Sequence, residues 1–540
     1  MLKAGYKLAD LRSDIIAGLT VAIVALPLAM ALGIASGATP EQGIITAVVA
    51  GFLISLLGGS RVQIGGPTGA FVVIIYNVIT QYGYDGLLIA TLMAGVILVI
   101  AGYARLGQLI KFIPQPVITG FTAGIAVIIA STQVKDFFGL NIENVPIDFV
   151  EKWHVYLTKM NNFDYATTVI GLVVVSIILT IRRTAPRLPQ YLIALVISSV
   201  AVYLLDLNVA TIGSRFPDIS PGIPVPQLPE ISFQKIQQVF PSALVIAFLA
   251  GVEALLSAVV ADGMTGYKHR SNQELIAEGI ANFFSALFGG LPATGAIART
   301  ATNITAGGKT PFAGIFHAAF LLLFILFAAG TMKYVPMTAL AAILFFVAWG
   351  MSDAHRFART MKFSGSDRMV LVLSFLLTIF VDLTVAIGVG VTLACLLFVA
   401  RMARSIEISK GMKDGFGQER EEEDQREALP KGVEVFWIAG PIFFGVASDI
   451  PELLKKIGEN PKVLIIRMRL VPFLDTTGVS ALEDLVRQCR TKKIAVIFSA
   501  LQTQPSSILS KFNNESSWDH VSNASSYEEA LQQARLMAKD

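Results

Sequence analysis

Two short segments rich in glycine and proline interrupt apolar stretches of the sequence and are the first candidates for a binding site. One reads Gly-Gly-Pro-Thr-Gly-Ala at 65–70, and the other reads Gly-Gly-Leu-Pro-Ala-Thr-Gly-Ala at 289–296. A helix that starts at such a break points its free backbone N–H groups and the positive end of its dipole at whatever lies before it, which suits an anion. The residues that would supply these N–H groups are Thr68, Gly69, Ala70, Thr294, Gly295 and Ala296. Helix packing alone is the alternative, and it explains the shared break less well.

A single acidic residue, Glu253, lies in the otherwise uncharged apolar stretch 243–260. A charged side chain at such a position costs several kcal/mol in a bilayer and is rarely present without a task. We therefore favour a transport role, in which the carboxyl exchanges a proton, over a structural carboxyl bonded to a neighbouring half-helix. Ser257 follows one turn later on the same face, where it could bond the carboxyl or help to hold a cation.

A single arginine, Arg299, follows the second break by five residues from Thr294. This spacing places it about one and a half turns into the half-helix, from where a guanidinium can add positive potential to an anion at the helix start. The alternative is an arginine that extends to the cytoplasmic surface. The sequence leaves both interpretations open.

The composition requires a membrane setting for these residues. Hydrophobic residues make up 54% of the 540 and charged residues only 15%, and the mean hydropathy is +0.65. This composition predicts a polytopic α-helical membrane protein, and the net charge of +3 gives no reason to expect nucleic-acid binding. No nucleophile and base set, phosphate loop or metal-ligand cluster is evident, so we expect neither an enzyme nor a cofactor.

The apolar segments form two series of seven. They begin near residues 15, 43, 68, 87, 116, 165 and 191, and again near 241, 275, 294, 312, 337, 369 and 384. The repeats therefore occupy about 10–206 and 240–404, and an odd number of spans in each forces opposite topologies, the inverted-repeat condition. Basic residues such as Arg12, Arg61, Lys268 and Arg401 fall on one side, which predicts that this side and both termini are cytoplasmic.

The composition changes after residue 404, where the predicted transmembrane domain 1–404 ends. Residues 405–432 read as a charged linker, and 433–540 as a small soluble α/β domain. In this domain 433–438, 463–468 and 494–498 are predicted strands. The segments 449–456, 478–489 and 526–537 are predicted helices.

Several separated motifs resemble the SulP sulfate-permease family, the bacterial relatives of the mammalian anion carriers that include prestin and pendrin. They are Asp-Leu-Arg-Ser-Asp-Ile-Ile-Ala-Gly-Leu-Thr at 10–20, Gly-Pro-Thr-Gly-Ala at 66–70, Glu-Ala-Leu-Leu-Ser at 253–257, Arg-Thr at 299–300 and Gly-Gly-Lys-Thr at 307–310. The resemblance implies a core domain and a gate domain, with the anion bound between the third and tenth segments and the gate forming a homodimer. It also implies that Arg299 contributes to the electrostatics of the anion site.

The soluble tail resembles the STAS domain, named after sulfate transporters and anti-sigma-factor antagonists, through Gly-Pro-Ile-Phe-Phe at 440–444 and Asp-Thr-Thr-Gly at 475–478. In STAS relatives that antagonise anti-sigma factors the second hydroxyl of the latter motif is phosphorylated, which maps to Thr477. A plain helix N-terminus is the alternative for this residue. A cytoplasmic protein is the partner that the resemblance suggests for the domain.

One departure from the family pattern leaves the substrate open. Many members carry a glutamine and then an aromatic residue after the proline of the first segment, whereas here Pro27 is followed by Leu-Ala-Met-Ala-Leu at 28–32. This version resembles bacterial members that include C4-dicarboxylate carriers, so sulfate, bicarbonate and a C4-dicarboxylate all remain candidates.

The sequence is best interpreted as that of a proton-coupled symporter of small anions in the inner membrane, in contact with membrane lipid. The resemblance to the family implies that a glutamate at the position of Glu253 indicates proton coupling, whereas an aspartate there indicates sodium coupling. The alternatives are a sodium-coupled symporter, an uncoupled anion exchanger or channel, and a membrane-anchored regulator that signals through its STAS domain.

Overall fold

A computed structural model describes residues 6–108, 114–142, 145–146, 148–186, 188–217, 222, 224–363, 365–381, 383–404, 406–410, 429–446, 450, 461–511 and 518–538. The chain forms two compact units, residues 1–394 and 395–540. The first is helical, and the second contains a β-sheet.

In the first half of the helical unit, the described residues form eight α-helices and one very short strand. They are α1 (Leu8–Ala35), α2 (Pro40–Leu57), β1 (Gly65–Gly66), α3 (Val72–Tyr103), α4 (Gln115–Phe138), α5 (Phe149–Lys159), α6 (Tyr165–Thr184), α7 (Gln190–Leu204) and α8 (Ile212–Arg215). Helix α3 contains two of the predicted segments. Gly83 lies between them, and its left-handed backbone conformation (φ 73°) kinks the helix at that point.

The second half repeats this order. It contains α9 (Phe233–Thr265), α10 (Ser271–Leu287), β2 (Thr294–Gly295), α11 (Ile297–Thr305), α12 (Pro311–Phe327), α13 (Met337–Ser352), α14 (Ala354–Thr360), α15 (Gly365–Phe380) and α16 (Leu383–Arg404). Apart from the short helices α5, α8 and α14, the remaining thirteen helices of the described residues account for the fourteen predicted segments, because α3 contains two of them. By length and composition, eight helical stretches in the described residues can cross a membrane, and α7 and α12 are shorter apolar helices.

Capping residues in the sequence explain where several of these helices begin. The side chains of Thr39, Asp164 and Ser232 each accept a bond from a backbone N–H in the first turn of α2, α6 and α9, respectively. Bonds from Thr167 hold the pKa of the Asp164 carboxyl below its usual range. Left-handed Gly266 (φ 75°) ends α9.

The packing of the helices follows the repeat. Helices α1 and α2 pack on α12, and their counterparts α9 and α10 pack on α3; similarly, α4 packs on α15 and its counterpart α13 packs on α6. Exchanging these helices for their counterparts reproduces these contacts, as expected for an inverted repeat. We call α1–α3 and α9–α12 the core domain, and α4, α6, α7, α13, α15 and α16 the gate domain.

The second unit is built on a five-stranded sheet. Strands β3 (Glu407–Lys410), β4 (Val433–Ala439), β5 (Val463–Leu470), β6 (Ala495–Ser499) and β7 (Val521–Ala524) lie in the order β3-β4-β5-β6-β7, and only β3 runs antiparallel to its neighbour. The described part of this unit also contains helices α17 (Thr476–Thr491), α18 (Thr503–Leu509) and α19 (Tyr527–Met537). Separate hydrophobic clusters join α17 and α19 to the sheet, which explains the near-continuous apolar sequence of the central strands.

Two sequence predictions for this unit need comment. Residues 407–410, predicted as part of the linker, form β3, because their backbone pairs with the edge of β4. Residues 405 and 411–428 of the predicted linker lie outside the described residues, as does the predicted helix 449–456 with the exception of residue 450.

Candidate functional site

The two sequence breaks meet in the core domain as a small antiparallel ribbon. Gly65 pairs with Gly295, and Gly66 pairs with Thr294. The Ala296 N–H also donates to the Ile64 carbonyl at 2.8 Å. A helical turn at Gly69–Phe71 leads into α3 on one side, and α11 starts directly after β2 on the other. Two helix starts therefore lie beside one ribbon, which brings the predicted residues of both breaks together.

Close packing explains why glycine occupies both strands of this ribbon. At Gly66 the backbone has a φ of 152°, and an added Cβ would overlap Nη1 of Arg299. At Gly295 an added Cβ would overlap Nε2 of Gln63. Only a residue without a side chain leaves space for these two polar groups.

A cavity of about 1260 Å³ lies between this part of the core domain and helices α4, α7 and α13 of the gate domain. Seven of the nine residues predicted to bind substrate or couple ions line it: Thr68, Gly69, Ala70, Glu253, Gly295, Ala296 and Arg299. Asp353 and Arg356 from the end of the gate helix α13 and the start of α14 also line it. The cavity is large enough for a small anion with its water.

Glu253 faces this cavity at the start of the first half-helix. It is partly buried, and its Oε2 accepts a hydrogen bond of 2.9 Å from Oγ1 of Thr68. The bond joins α9 to the residue that precedes the turn at Gly69–Phe71. The carboxyl is therefore bonded to the side chain of the first residue of the predicted anion-binding segment 68–70.

Arg299 lies beneath the ribbon and does not extend to the protein surface. Arg299 is only 3% exposed, and its Nη2 donates to the Pro67 carbonyl at 3.1 Å. Nη1 has no hydrogen-bond partner among the described residues. A buried guanidinium with a free N–H group beside two helix starts makes this part of the cavity wall electropositive.

Thr294 and Ser257 do not line the cavity, in contrast to the other predicted site residues. Both are fully buried. The Thr294 hydroxyl donates to the Ala250 carbonyl at 2.8 Å, and the Ser257 hydroxyl donates to Oγ1 of Thr300 at 3.2 Å. Ser257 therefore does not bond the Glu253 carboxyl, because it points at α11. Both hydroxyls attach the second break to α9 rather than contact a ligand.

Sequence reasoning missed two amides that hold the same region. Gln63 donates to the Ala254 carbonyl at 3.2 Å, and Asn303 donates to the Val62 carbonyl at 2.8 Å. Both side chains are buried. The one available signal concerned Gln63, which lies two residues before the first glycine break.

The predicted phosphosite lies in the first turn of α17. The Asp475 carboxylate caps this helix by accepting from the Gly478 N–H at 2.7 Å, and it also accepts from the Phe444 N–H at 3.0 Å. Thr477 does not supply the cap, and its residue is exposed.

Comparison with known proteins places the chain among transporters. Residues 11–374 match the model of the sulfate permease family, and residues 429–526 match the STAS domain. The protein YvdB of Bacillus subtilis (strain 168), provisionally described as a sulfate transporter, is 42% identical over 94% of each chain. The bicarbonate transporter BicA of Picosynechococcus sp. is 32% identical over 92% of this chain and 90% of its own.

Solved structures agree with this relationship. The transmembrane domain of a cyanobacterial BicA matches with a TM-score of 0.64 at 32% identity, over 71% of this chain and 99% of that structure. The murine anion transporter Slc26a9 in its inward-facing state matches with a TM-score of 0.85 at 19% identity, over 98% and 92% of the two chains, which establishes the fold. The predicted fold class, two inverted helical repeats followed by a STAS domain, is confirmed. The chain therefore belongs to the sulfate permease family of multi-pass membrane transporters.

Proposed function

We propose that this anion transporter is a proton-coupled symporter that moves its substrate across the inner membrane by displacing the core domain against the gate domain. The observation that carries the proposal is the hydrogen bond between Glu253 and Thr68 in the wall of the cavity. It connects a group that can carry a proton to the start of a half-helix that can bind an anion.

The anion is bound by N–H groups at the two helix starts, 68–70 and 294–295, and by the free Nη1 group of Arg299. The predicted Ala296 N–H does not take part, because it already donates to the Ile64 carbonyl. These donors suit a small oxyanion, because they supply hydrogen bonds and a single full positive charge. Sulfate, bicarbonate and a C4-dicarboxylate share this chemistry. The apolar wall that Val24, Leu28 and Leu32 of α1 contribute also suits the methylene groups of a dicarboxylate.

Protonation of Glu253 can change how the site binds its anion. The ionised carboxylate accepts the Thr68 hydroxyl and places a negative charge beside the anion site. A neutral carboxyl removes this repulsion and needs the Thr68 hydroxyl less, so the hydroxyl can turn to the anion. Each ligand then favours binding of the other, which is the thermodynamic requirement for symport.

Proton coupling is favoured over sodium coupling by the orientation of Ser257. A sodium site beside Glu253 needs several oxygen ligands, and Ser257 was the predicted source of one of them. Ser257 is fully buried, its hydroxyl faces Thr300 on α11, and it does not line the cavity that Glu253 faces.

The remaining parts of the proposal concern assembly and regulation. The cavity wall includes Pro186, Thr305 and Arg356, which lie next to loops predicted to be cytoplasmic, so the described state is open to the cytoplasm. We infer a homodimer that contacts membrane lipid through its gate domains. We also infer that the STAS domain binds a cytoplasmic protein, with the exposed Thr477 as a regulatory phosphosite.

The test is uptake of labelled succinate by purified protein in liposomes under an imposed inward proton gradient, with unlabelled sulfate and bicarbonate as competitors. We expect Glu253→Gln to lose uptake driven by the gradient but to keep exchange of labelled for unlabelled anion. Glu151→Gln, an exposed glutamate on α5, is the matched control and should behave as wild type. Unchanged accumulation driven by protons in Glu253→Gln would refute the coupling assignment.

A further inference from the structure

Helix α5 of the connection between α4 and α6 carries a buried lysine that the proposed transport cycle does not use. Lys152 is only 4% exposed, and Tyr156 is 0% exposed. The two residues are four positions apart, which places them one turn apart on the same face of the helix. Lysine is almost never buried to this extent unless its charge is paired. This pair of side chains is therefore a candidate for a further site.

Neither polar group of the pair has a bonding partner among the described residues. The buried Tyr156 hydroxyl makes no hydrogen bond there. The Lys152 ammonium group makes neither a hydrogen bond nor an ion pair with them. A buried ammonium group needs a polar or anionic partner to offset the loss of its hydration. Since both groups can donate hydrogen bonds and one is charged, the chemistry of the missing partner is that of an anion.

The acidic residues around α5 are bound elsewhere or point away. Asp148, one turn before Lys152, caps the helix, and its Oδ1 accepts from two N–H groups of the first turn at 2.9 and 3.0 Å. Asp136, near the end of α4, pairs with Arg215 of α8 at 3.1 Å. Glu151 is exposed, and as the residue directly before Lys152 it lies on another face of the helix. The described part of the chain therefore supplies no carboxylate that is bonded to the lysine.

Hydrogen bonding places α5 near the outer end of the anion pathway. Both termini are predicted to be cytoplasmic and α4 is the fifth segment, so the connection after α4 lies on the outer side of the membrane. Nε1 of Trp153 donates to Oγ of Ser131 on α4 at 3.1 Å. Ser131 is two residues beyond Ile129, about 3 Å along the helix axis. A Cβ added at Gly69 of the proposed anion site would lie 3.3 Å from Ile129. The α5 helix is therefore held just outward of that site.

The burial of the pair fits a state that is closed toward the outside. Neither Lys152 nor Tyr156 lines the cavity, whose wall includes the residues next to the predicted cytoplasmic loops. Val134 and Leu140 pack with Tyr156 in an apolar cluster that covers its ring. Displacement of the core domain against the gate domain is the step that opens the pathway on the α5 side.

We propose that Lys152 and Tyr156 form an outer anion site, which the transported oxyanion occupies as it enters from the outside or leaves to it. The Lys152 ammonium group supplies the positive charge, and the Tyr156 hydroxyl donates a hydrogen bond. A charged donor beside a neutral donor is also the chemistry of the proposed site at Arg299, so the same class of small oxyanion fits both. The outer site rests on the proposed displacement of the core domain against the gate domain, and it does not depend on the coupling ion.

The experiment compares uptake at the two faces of the full-length protein. Labelled succinate, sulfate and bicarbonate are each offered to spheroplasts, which present the outer face, and to inverted membrane vesicles, which present the cytoplasmic face. We expect Lys152→Met and Tyr156→Phe to raise the KM at the outer face by roughly tenfold, the factor that one hydrogen bond to a charged group supplies. The KM at the cytoplasmic face should stay at the wild-type value. Lys159→Gln, an exposed lysine at the end of the same helix, is the matched control and should behave as wild type at both faces.

A melting curve of each variant separates anion binding from a structural role. Removal of an unpaired buried charge should leave the melting temperature of Lys152→Met equal to that of the wild type or above it. A lower melting temperature together with a raised KM at both faces would assign Lys152 a structural role and overturn the outer site. If Lys152→Met does not fold, Tyr156→Phe, which removes only a hydroxyl, decides the outcome.

The remaining outcomes distinguish this site from the proposed symport. A wild-type KM at the outer face in both variants would overturn the outer site and leave the symport proposal in place. Wild-type uptake that needs no proton gradient, with the same one-sided change of KM in the variants, would refute proton coupling and keep the outer site. Wild-type protein that carries none of the three anions would refute the proposed function and the outer site with it.

Discussion

Arg299 is the residue on which the electrostatics of the proposed anion site depend. One side of its guanidinium is held by the Pro67 carbonyl, while Nη1 remains free beside Gly66. Arg299 follows the second break in the sequence and bonds Pro67 in the first, so it holds the two breaks together. Its guanidinium is therefore already oriented before an anion arrives. A pre-oriented donor binds an anion with little further loss of side-chain entropy.

We predict that Arg299→Ala raises the KM for anion uptake by roughly ten- to a hundredfold. The reason is that a hydrogen bond to a charged group contributes about 1.5–3 kcal/mol. Arg299→Lys should recover part of this loss, because an ammonium keeps the charge but cannot hold Pro67 and the anion with the same planar geometry. The measurement is the substrate dependence of uptake in liposomes, with a melting curve for each variant to verify folding.

Arg356→Ala is the matched control for this prediction. Arg356 also lines the cavity, but it pairs with Asp353 at 3.2 Å and its side chain is 60% exposed, so its contribution is screened by solvent. We expect a much smaller change in KM. Equal changes for the two variants would contradict a specific role for Arg299.

Charged residues of the site could be predicted from the sequence, whereas the directions of the hydroxyl groups could not. Glu253 and Arg299 stand out because a charge in an apolar segment is rare. Ser257 and Thr294 lie in the segments that form the site, but a buried hydroxyl can donate to a nearby backbone or side-chain oxygen, and both do so. Only three-dimensional packing decides between these partners and a ligand.

At the level of secondary-structure elements, Asp14 fastens the start of α1 to the loop between α11 and α12. The residue is fully buried. Its carboxylate accepts from the N–H and hydroxyl of Thr310 at 3.3 and 2.5 Å, from the Lys309 N–H at 2.8 Å, and from the Tyr6 hydroxyl at 2.9 Å. The loop that follows the second half-helix is thereby fixed to the rest of the core domain.

We predict that Asp14→Ala destabilises the protein by about 2–4 kcal/mol, because several buried donors lose a charged acceptor at once. The measurement is the apparent melting temperature of purified protein in detergent. Asp10→Ala is the control. Asp10 pairs with Lys309 at 3.0 Å, and the lysine side chain is 60% exposed. Loss of this exposed ion pair should cost under about 1 kcal/mol. A melting temperature for Asp14→Ala equal to that of the control would contradict this role.

The order of the elements followed from hydrophobic length and turn residues, but two boundaries did not. Gly83 was not recognised as a kink within one continuous helix, because a single glycine in an apolar stretch is compatible with several conformations. Strand β3 was missed because its four residues carry no alternating pattern and form a strand only through pairing with β4.

For the whole molecule, transport by displacement of one domain against another requires that the contacts between core and gate domains break during the cycle. The start of the first half-helix provides such a contact. A Cβ placed on Gly69 of the core domain would lie against Sδ of Met351 and 3.3 Å from Cδ1 of Ile129, both in the gate domain. The proposed substrate site and this contact therefore involve the same short segment.

We predict that a disulfide between Gly69→Cys and Met351→Cys stops transport, because it fixes the core domain to the gate domain in the described state. The protein that carries these two substitutions also needs Cys395 replaced, because this native cysteine is exposed. Cys489 can stay, because it is buried in the STAS domain and burial raises the pKa of its thiol to about 11, which keeps it unreactive. Succinate uptake should be nearly abolished after mild oxidation and should recover when a reductant is added. Each single cysteine variant is the control and should be insensitive to both treatments. Full transport with the disulfide formed would mean that the two domains keep this contact throughout the cycle, and displacement of the core against the gate would be refuted.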